Sequence, residues 1–133
     1  MNGLSYQIEI NVDPHKVADV YQRSGIMRPI DDLSQLTQMF QHANLMISAR
    51  DQGRLVCFTH ALTDCNFCCF LSDLAVDRDY GRRDIGREIL NTVQKKFGDE
   101  VMVCLLSAPE AMSYYPKTGF QKADQAWWIP RRR

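Results

Sequence analysis

No charge of either sign predominates in this sequence. Lys and Arg together number 16, as do Asp and Glu, so the formal net charge is zero. Without a basic excess the chain has no general electrostatic attraction for DNA, RNA or anionic lipid, which argues against a nucleic-acid or membrane partner. Long hydrophobic runs are missing too. No stretch approaches the ~18–20 unbroken apolar residues of a membrane span. Residues 1–9 lack a basic region followed by an apolar core, so no secretory signal is read there and the expected location is the cytoplasm. Metal-ligand spacing is incomplete. Among the five cysteines, Cys65 and Cys68 have the two-residue gap of a zinc or redox pair, but no second pair and no matching histidine pair follows. The cysteines read as reduced thiols acting as small hydrophobes, and no metal is expected.

What is present is globular. A length of 133 residues with 45% hydrophobic and 24% charged residues suits one domain, residues 1–133, around one core. There is no internal repeat, low-complexity segment or interdomain linker. Residues 6–12 alternate apolar and polar (Tyr6, Ile8, Ile10, Val12), as a half-buried strand does. Asp13-Pro14 is an N-cap followed by a first-turn proline, opening a helix whose apolar face is Val17, Val20 and Tyr21. Asp31 and Asp32 precede a second helix with Leu33, Leu36, Met39, Phe40 and Ala43 as its stripe. Residues 45–50 and 54–63 are strands around the hairpin signal Asp51-Gln52-Gly53. Residues 67–76 read as a long third strand of the same meander. Residues 83–97 form the most regular helix, with Ile85, Ile89, Leu90, Val93 and Phe97 on one face and Gly98 as its stop. Residues 101–106 suit a strand buried on both sides. A short helix fits 109–117, and 120–129 read as one or two final strands. The expectation is an α/β (α+β) fold with a mixed, mostly antiparallel sheet of six or seven strands flanked by about four helices.

The segment with most chemistry is the strand, loop and helix over residues 71–90. A helix N-terminus presents unpaired N–H groups and partial positive charge, and so can hold a phosphate. Arg78, Arg82, Arg83 and Arg87 surround this one, and arginine can grip phosphate through two parallel hydrogen bonds. The segment reads either as a pyrophosphate site or as a solvated basic helix start paired with Asp77, Asp79, Asp84 and Glu88.

The run Leu74-Ala75-Val76-Asp77-Arg78-Asp79-Tyr80-Gly81-Arg82-Arg83-Asp84-Ile85-Gly86-Arg87-Glu88-Ile89-Leu90 resembles, without gaps, the acetyl-CoA motif of GNAT acetyltransferases, L-x-V-x-P-x-Y-Q-G-K-G-I-G-x-x-L-L. Ala111-Met112-Ser113-Tyr114-Tyr115-Pro116-Lys117-Thr118-Gly119-Phe120 resembles the family's A-x-x-F-Y-x-K-x-G-F at the usual distance. The resemblance implies the GNAT fold and transfer of an acetyl group from acetyl-CoA to an amine. It implies that backbone groups of Leu74, Ala75 and Val76 bond the pantetheine arm. The N–H groups of Arg82, Arg83, Asp84, Ile85, Gly86 and Arg87 would hold the pyrophosphate. Tyr115 would be the general acid on the departing thiolate, a task suited to a phenol with a pKa near ~10; its other reading is an aromatic packed between a short helix and the sheet. The sequence departs from the motif at Gly81, where glutamine is usual, and at Arg82 and Asp84, where glycine is usual. Ala108 stands where the family often has asparagine. A non-catalytic GNAT-fold module, binding an acyl-CoA or a protein partner, is the alternative.

In relatives with a recognised base, it often sits on the strand before the loop. The matching positions are Phe70 and Ser72, of which Ser72 could relay a proton through water. Asp73 is the nearest carboxylate, but strand alternation turns it to the opposite face and favours a structural acceptor. Glu9, His60 and Glu110 have no positional support. The acceptor is expected to meet residues 24–33 and 120–129. Asp31 and Asp32 could attract a cationic amine or simply cap a helix. Of Trp127 and Trp128, one is expected in the core and the other at a cleft or a homodimer surface. Arg131, Arg132 and Arg133 read as a solubilising tail.

Overall fold

The computed structural model describes residues 3–81 and 84–132. Helix α1 is Pro14–Ser24, and its N-cap Asp13 accepts a hydrogen bond from the His15 N–H. Helix α2 is Leu33–His42, where Asp32 caps the Gln35 N–H at 3.0 Å. Asp32 is therefore engaged as a cap. Strands β2 (Leu45–Asp51) and β3 (Arg54–Thr63) form the expected hairpin, with Asp51 opposite Arg54. Its two turn residues, Gln52 and Gly53, both have positive φ, which matches the right-handed twist of the strands it joins. Helix α3 is Ile85–Phe97. Strand β1 is Leu4–Ile8, β4 is Cys68–Leu71, β5 is the two-residue Ala75–Val76 and β6 is Met102–Leu105.

These six strands make one sheet in the order β1-β2-β3-β4-β6, with β5 also on β3. Every pairing is antiparallel except β4 with β6. The expected α/β architecture holds, with six strands and three α-helices among the described residues. Two cores lie on opposite faces of the sheet. Ile85, Ile89, Leu90 and Val93 of α3 pack on Ile47, Ala49, Val56, Cys57, Ala61, Cys69 and Leu71. On the other face Val17, Val20, Tyr21, Leu36 and Phe40 of α1 and α2 cover Met46, Leu55, Phe58 and Ala75. Complete burial of each large aliphatic side chain contributes about 1.5–3 kcal/mol.

Several expectations need correction. The strand read over 67–76 breaks into β4 and β5, because the Asp73 carboxylate enters the α1–α2 side and accepts the His60 N–H at 3.1 Å. A side chain thus takes a β3 donor that a neighbouring strand would otherwise bond. This also overturns the alternation argument for Asp73, which faces Tyr21. The short helix at 109–117 is instead two 3₁₀ turns, Pro109–Ala111 and Tyr115–Thr118. No strand forms over 120–129, where Trp127 is 95% and Ile129 87% exposed, so neither tryptophan is core. Ile10, read as strand, lies beyond β1 and is 85% exposed, since pairing with β2 stops at Ile8.

Candidate active site

The break in the third strand builds a fork. Strands β4 and β6 run parallel in register as far as Leu71 opposite Leu105. Beyond that point Ser72, Asp73 and Leu74 swing towards β3, where Ala75 pairs with Phe58 and Val76 with Cys57. Residues 106–109 go their own way. Between the two branches lies a cleft of about 1270 Å³, lined by Ser72, Leu74, Val76, Ser107, Ala108 and Tyr115 among others.

The N-terminus of α3 opens into this cleft. Its first intrahelical hydrogen bond runs from the Glu88 N–H to the Asp84 carbonyl. The N–H groups of Ile85, Gly86 and Arg87 therefore lack partners within the helix. Ile85 and Gly86 are buried and line the cleft. A Cβ on Gly86 would stand 2.7 Å from the Tyr114 hydroxyl and 3.5 Å from Leu74 and Val76, so only glycine leaves that tyrosine its place. Asp84 has φ 56 and ψ 22, the left-handed region, and its side chain makes no capping hydrogen bond. That conformation favours glycine for a backbone reason in addition to the close approach of a ligand.

Two of the four arginines are described, and they lie apart. Arg78 lies against Gly25, its guanidinium occupying the place a Cβ there would take. Arg87 is exposed and donates to the Lys117 carbonyl at 3.2 Å. Arg82 and Arg83 lie outside the described residues. The loop between β5 and α3 is instead held by Asp77. Its carboxylate caps the Arg78–Tyr80 turn through the Asp79 N–H at 2.9 Å and pairs with Arg23 of α1. Burial pushes the Asp77 carboxyl up, but the Asp79 N–H and the Arg23 and Arg54 guanidiniums outweigh it and hold it below 3.8.

Tyr115 lines the cleft, with its ring edge-on to Tyr114 at 5.3 Å and to Phe120 at 5.6 Å. Burial, then neighbouring Tyr114 and Asp73, raise the Tyr115 phenol above its ordinary value. It is therefore a protonated hydroxyl at neutral pH. Tyr114 is raised as well, chiefly by burial. Ser72 lines the cleft, with its N–H bonded to the His60 carbonyl at 3.0 Å and its carbonyl accepting from Arg28 at 2.5 Å. Leu74 and Val76 line the cleft, whereas Ala75 is fully buried beneath α1 and α2.

Sequence reasoning named Asp73 and His60 separately and did not bring them together. Asp73 is bonded by the Tyr21 hydroxyl and the His60 N–H, lies 2.8 Å from His60 Nδ1, and is 3.8 Å from Arg28 Nε. These residues are far apart in sequence, and no local spacing pointed to them. Helix α2 contributes Gln35, Gln38, Met39 and His42 to the cleft lining, and the C-terminal segment contributes Trp128 and Arg131. Among the described residues no group of three or more His, Cys, Asp and Glu side chains converges on a metal position. No helix described is long and apolar enough to cross a membrane.

Solved structures share this architecture over nearly the whole chain. A GNAT-family acetyltransferase from Streptococcus pneumoniae TIGR4 is 21% identical with a TM-score of 0.74, covering 96% of this chain and 98% of that one. The ribosomal-protein-S18-alanine N-acetyltransferase of Escherichia coli is 18% identical, TM-score 0.74, over 90% of this chain and 79% of its own. An aminoglycoside N-acetyltransferase solved with CoA is 14% identical, TM-score 0.72, over 98% and 95%. At such identities the likeness establishes the fold alone. The family model described as an acetyltransferase (GNAT) domain matches residues 17–127, and the chain belongs to the GNAT acetyltransferase family. No match is found among curated proteins.

Proposed function

We propose that the chain transfers an acetyl group from acetyl-CoA to a primary amine by direct attack. The observation that carries this reading is the fork itself. It opens between β5 and residues 106–109 onto the N-terminus of α3, whose Ile85, Gly86 and Arg87 N–H groups have no partner within the helix, with Gly86 buried at the junction. A pyrophosphate has donors there, and a pantetheine arm has β5 to bond, a strand paired only with β3 among the described residues. The cleft exceeds the ~300–1,000 Å³ of an ordinary small-ligand pocket, which leaves room for donor and acceptor together.

In the reaction the amine nitrogen bonds to the thioester carbon and the C–S bond breaks. The thiolate takes the Tyr115 proton, and the proton shed by the new ammonium nitrogen returns to the tyrosinate. Tyr115 suits this role because burial keeps its hydroxyl protonated while the cleft gives it access to the sulfur. A second reading, a module that binds acyl-CoA without turnover, is favoured by Asp84, whose carboxylate stands where a phosphate would approach. Incubation with acetyl-CoA and an alkylamine, with free thiol and N-acetyl product both measured, separates the two. The proposal expects stoichiometric CoA and amide. Tight acetyl-CoA binding with neither product would support the module.

A further inference from the structure

We infer that His60, oriented by Asp73, takes the proton from the acceptor amine; the inference rests on the acetyl-transfer reading above. His60 lies on β3 directly opposite the break, with its carbonyl bonded to the Ser72 N–H and its own N–H bonded to Asp73. It is the histidine buried in the cleft wall, 4% exposed. Its Nδ1 lies 2.8 Å from Asp73 Oδ2, off the line of a good hydrogen bond and with no other partner among the described residues. With Nδ1 turned to Asp73, Nε2 is the nitrogen left for the cleft. The ring is held by Phe58, stacked at 6.3 Å, and by Phe40, edge-on at 5.5 Å.

Asp73 suits the part of orienter rather than base. Its side chain is completely buried and already engaged by Tyr21. The rival groups in the cleft are less well placed. His42 of α2 is exposed, with Nδ1 2.8 Å from the Gln38 carbonyl of its own helix. Glu110 is exposed beyond the other branch, and Asp84 is exposed at the start of α3. The charged and titratable groups around His60 are thus Asp73 from the break, Tyr21 from α1, Arg28 from the connection between α1 and α2, His42 from α2, and Tyr115 across the cleft. A buried imidazole backed by a carboxylate can accept a proton and hold the resulting charge, the logic of a general base paired with an orienting acid group.

The proton balance is simple. The acceptor arrives as R–NH3⁺ and gives one proton to His60 Nε2. The free amine then attacks, and Tyr115 serves the thiolate as above. His60 returns its proton to water after the products leave.

This role makes a prediction that a structural histidine does not. An alkylamine such as n-butylamine is protonated at neutral pH, like a lysine side chain at about 10.4, and needs the base. Methoxyamine is neutral at that pH and does not. For His60→Gln, kcat/KM on n-butylamine is expected to fall roughly 10²–10⁴-fold, with a far smaller loss on methoxyamine and unchanged acetyl-CoA affinity by calorimetry. Asp73→Asn, which leaves His60 in place, is expected to show the same amine-dependent loss at smaller size; it carries the test if His60→Gln does not fold. Equal losses on both amines, or none, overturn the assignment and leave the acetyl-transfer reading standing. Wild-type protein that binds no acetyl-CoA overturns both.

Discussion

Replacing Gly86 by alanine should destabilise the protein, although the same change in most helices stabilises it. Alanine is favoured over glycine in a helix by up to about 1 kcal/mol, less in the first turn, where Gly86 lies. Against that stands the contact its methyl would make with the Tyr114 hydroxyl, 2.7 Å away, while Leu74 and Val76 at 3.5 Å are ordinary neighbours. Tyr114 cannot retreat freely, because its ring stands edge-on to Tyr115 at 5.3 Å. Overpacking of this kind costs about 1–3 kcal/mol, so the net loss should be about 1–2 kcal/mol. In a domain of this size that lowers Tm by about 3–6 °C per kcal/mol. Tyr114→Phe removes only the clashing oxygen. Thermal and urea unfolding of the two single variants and the double variant should give a coupling of about 1–2 kcal/mol, with stability recovered in the double. Acetyl-CoA affinity should not recover, since the methyl still occupies the fork between Leu74 and the helix. Additive stabilities would refute the packing argument, and an unweakened affinity in Gly86→Ala would refute the placement of the donor.

Asp84→Gly should stabilise the fold by about 1 kcal/mol, because the left-handed backbone no longer carries a Cβ. It should also tighten acetyl-CoA by about 1–2 kcal/mol as the opposing charge leaves; weaker binding by calorimetry would mean that the carboxylate orders the loop. Tyr115→Phe should lower turnover roughly 10²–10⁴-fold with acetyl-CoA affinity nearly constant, and a folded variant with full activity would rule the acid role out. Asp77 has a depressed folded-state pKa, so its contribution is present above its ordinary 3.8 and is lost as pH falls through the lower folded value. Unfolding free energy measured against pH should therefore fall less steeply in acid for Asp77→Asn, and an unchanged slope would contradict the role of the Arg23 pair.

The parts of the fold that were legible in the sequence are those set by neighbours in the chain. The Asp13-Pro14 start, the Gln52-Gly53 turn and the apolar face of α3 each follow from spacing within a few residues. The break between β4 and β5 was not legible. Its sequence is continuous and apolar on either side, and its cause is Asp73 meeting Tyr21, 52 positions away. The same long-range contact hid His60. Asp84 was legible as a misplaced charge, but its strained backbone was not, since φ has no signature in a residue type that also caps helices. The C-terminal alternation misled for a further reason: a period of two marks a strand only when an edge accepts it, and residues 121–132 pair with none.

The central claim is that the fork beside α3 is the acetyl-CoA site, and calorimetric titration of the wild-type protein and Gly86→Asp with acetyl-CoA tests it most directly. The account predicts one site per chain in the wild type and loss of that binding in a folded Gly86→Asp, whose carboxylate would fill the junction and repel the phosphates. Equal affinity in the two proteins would contradict it.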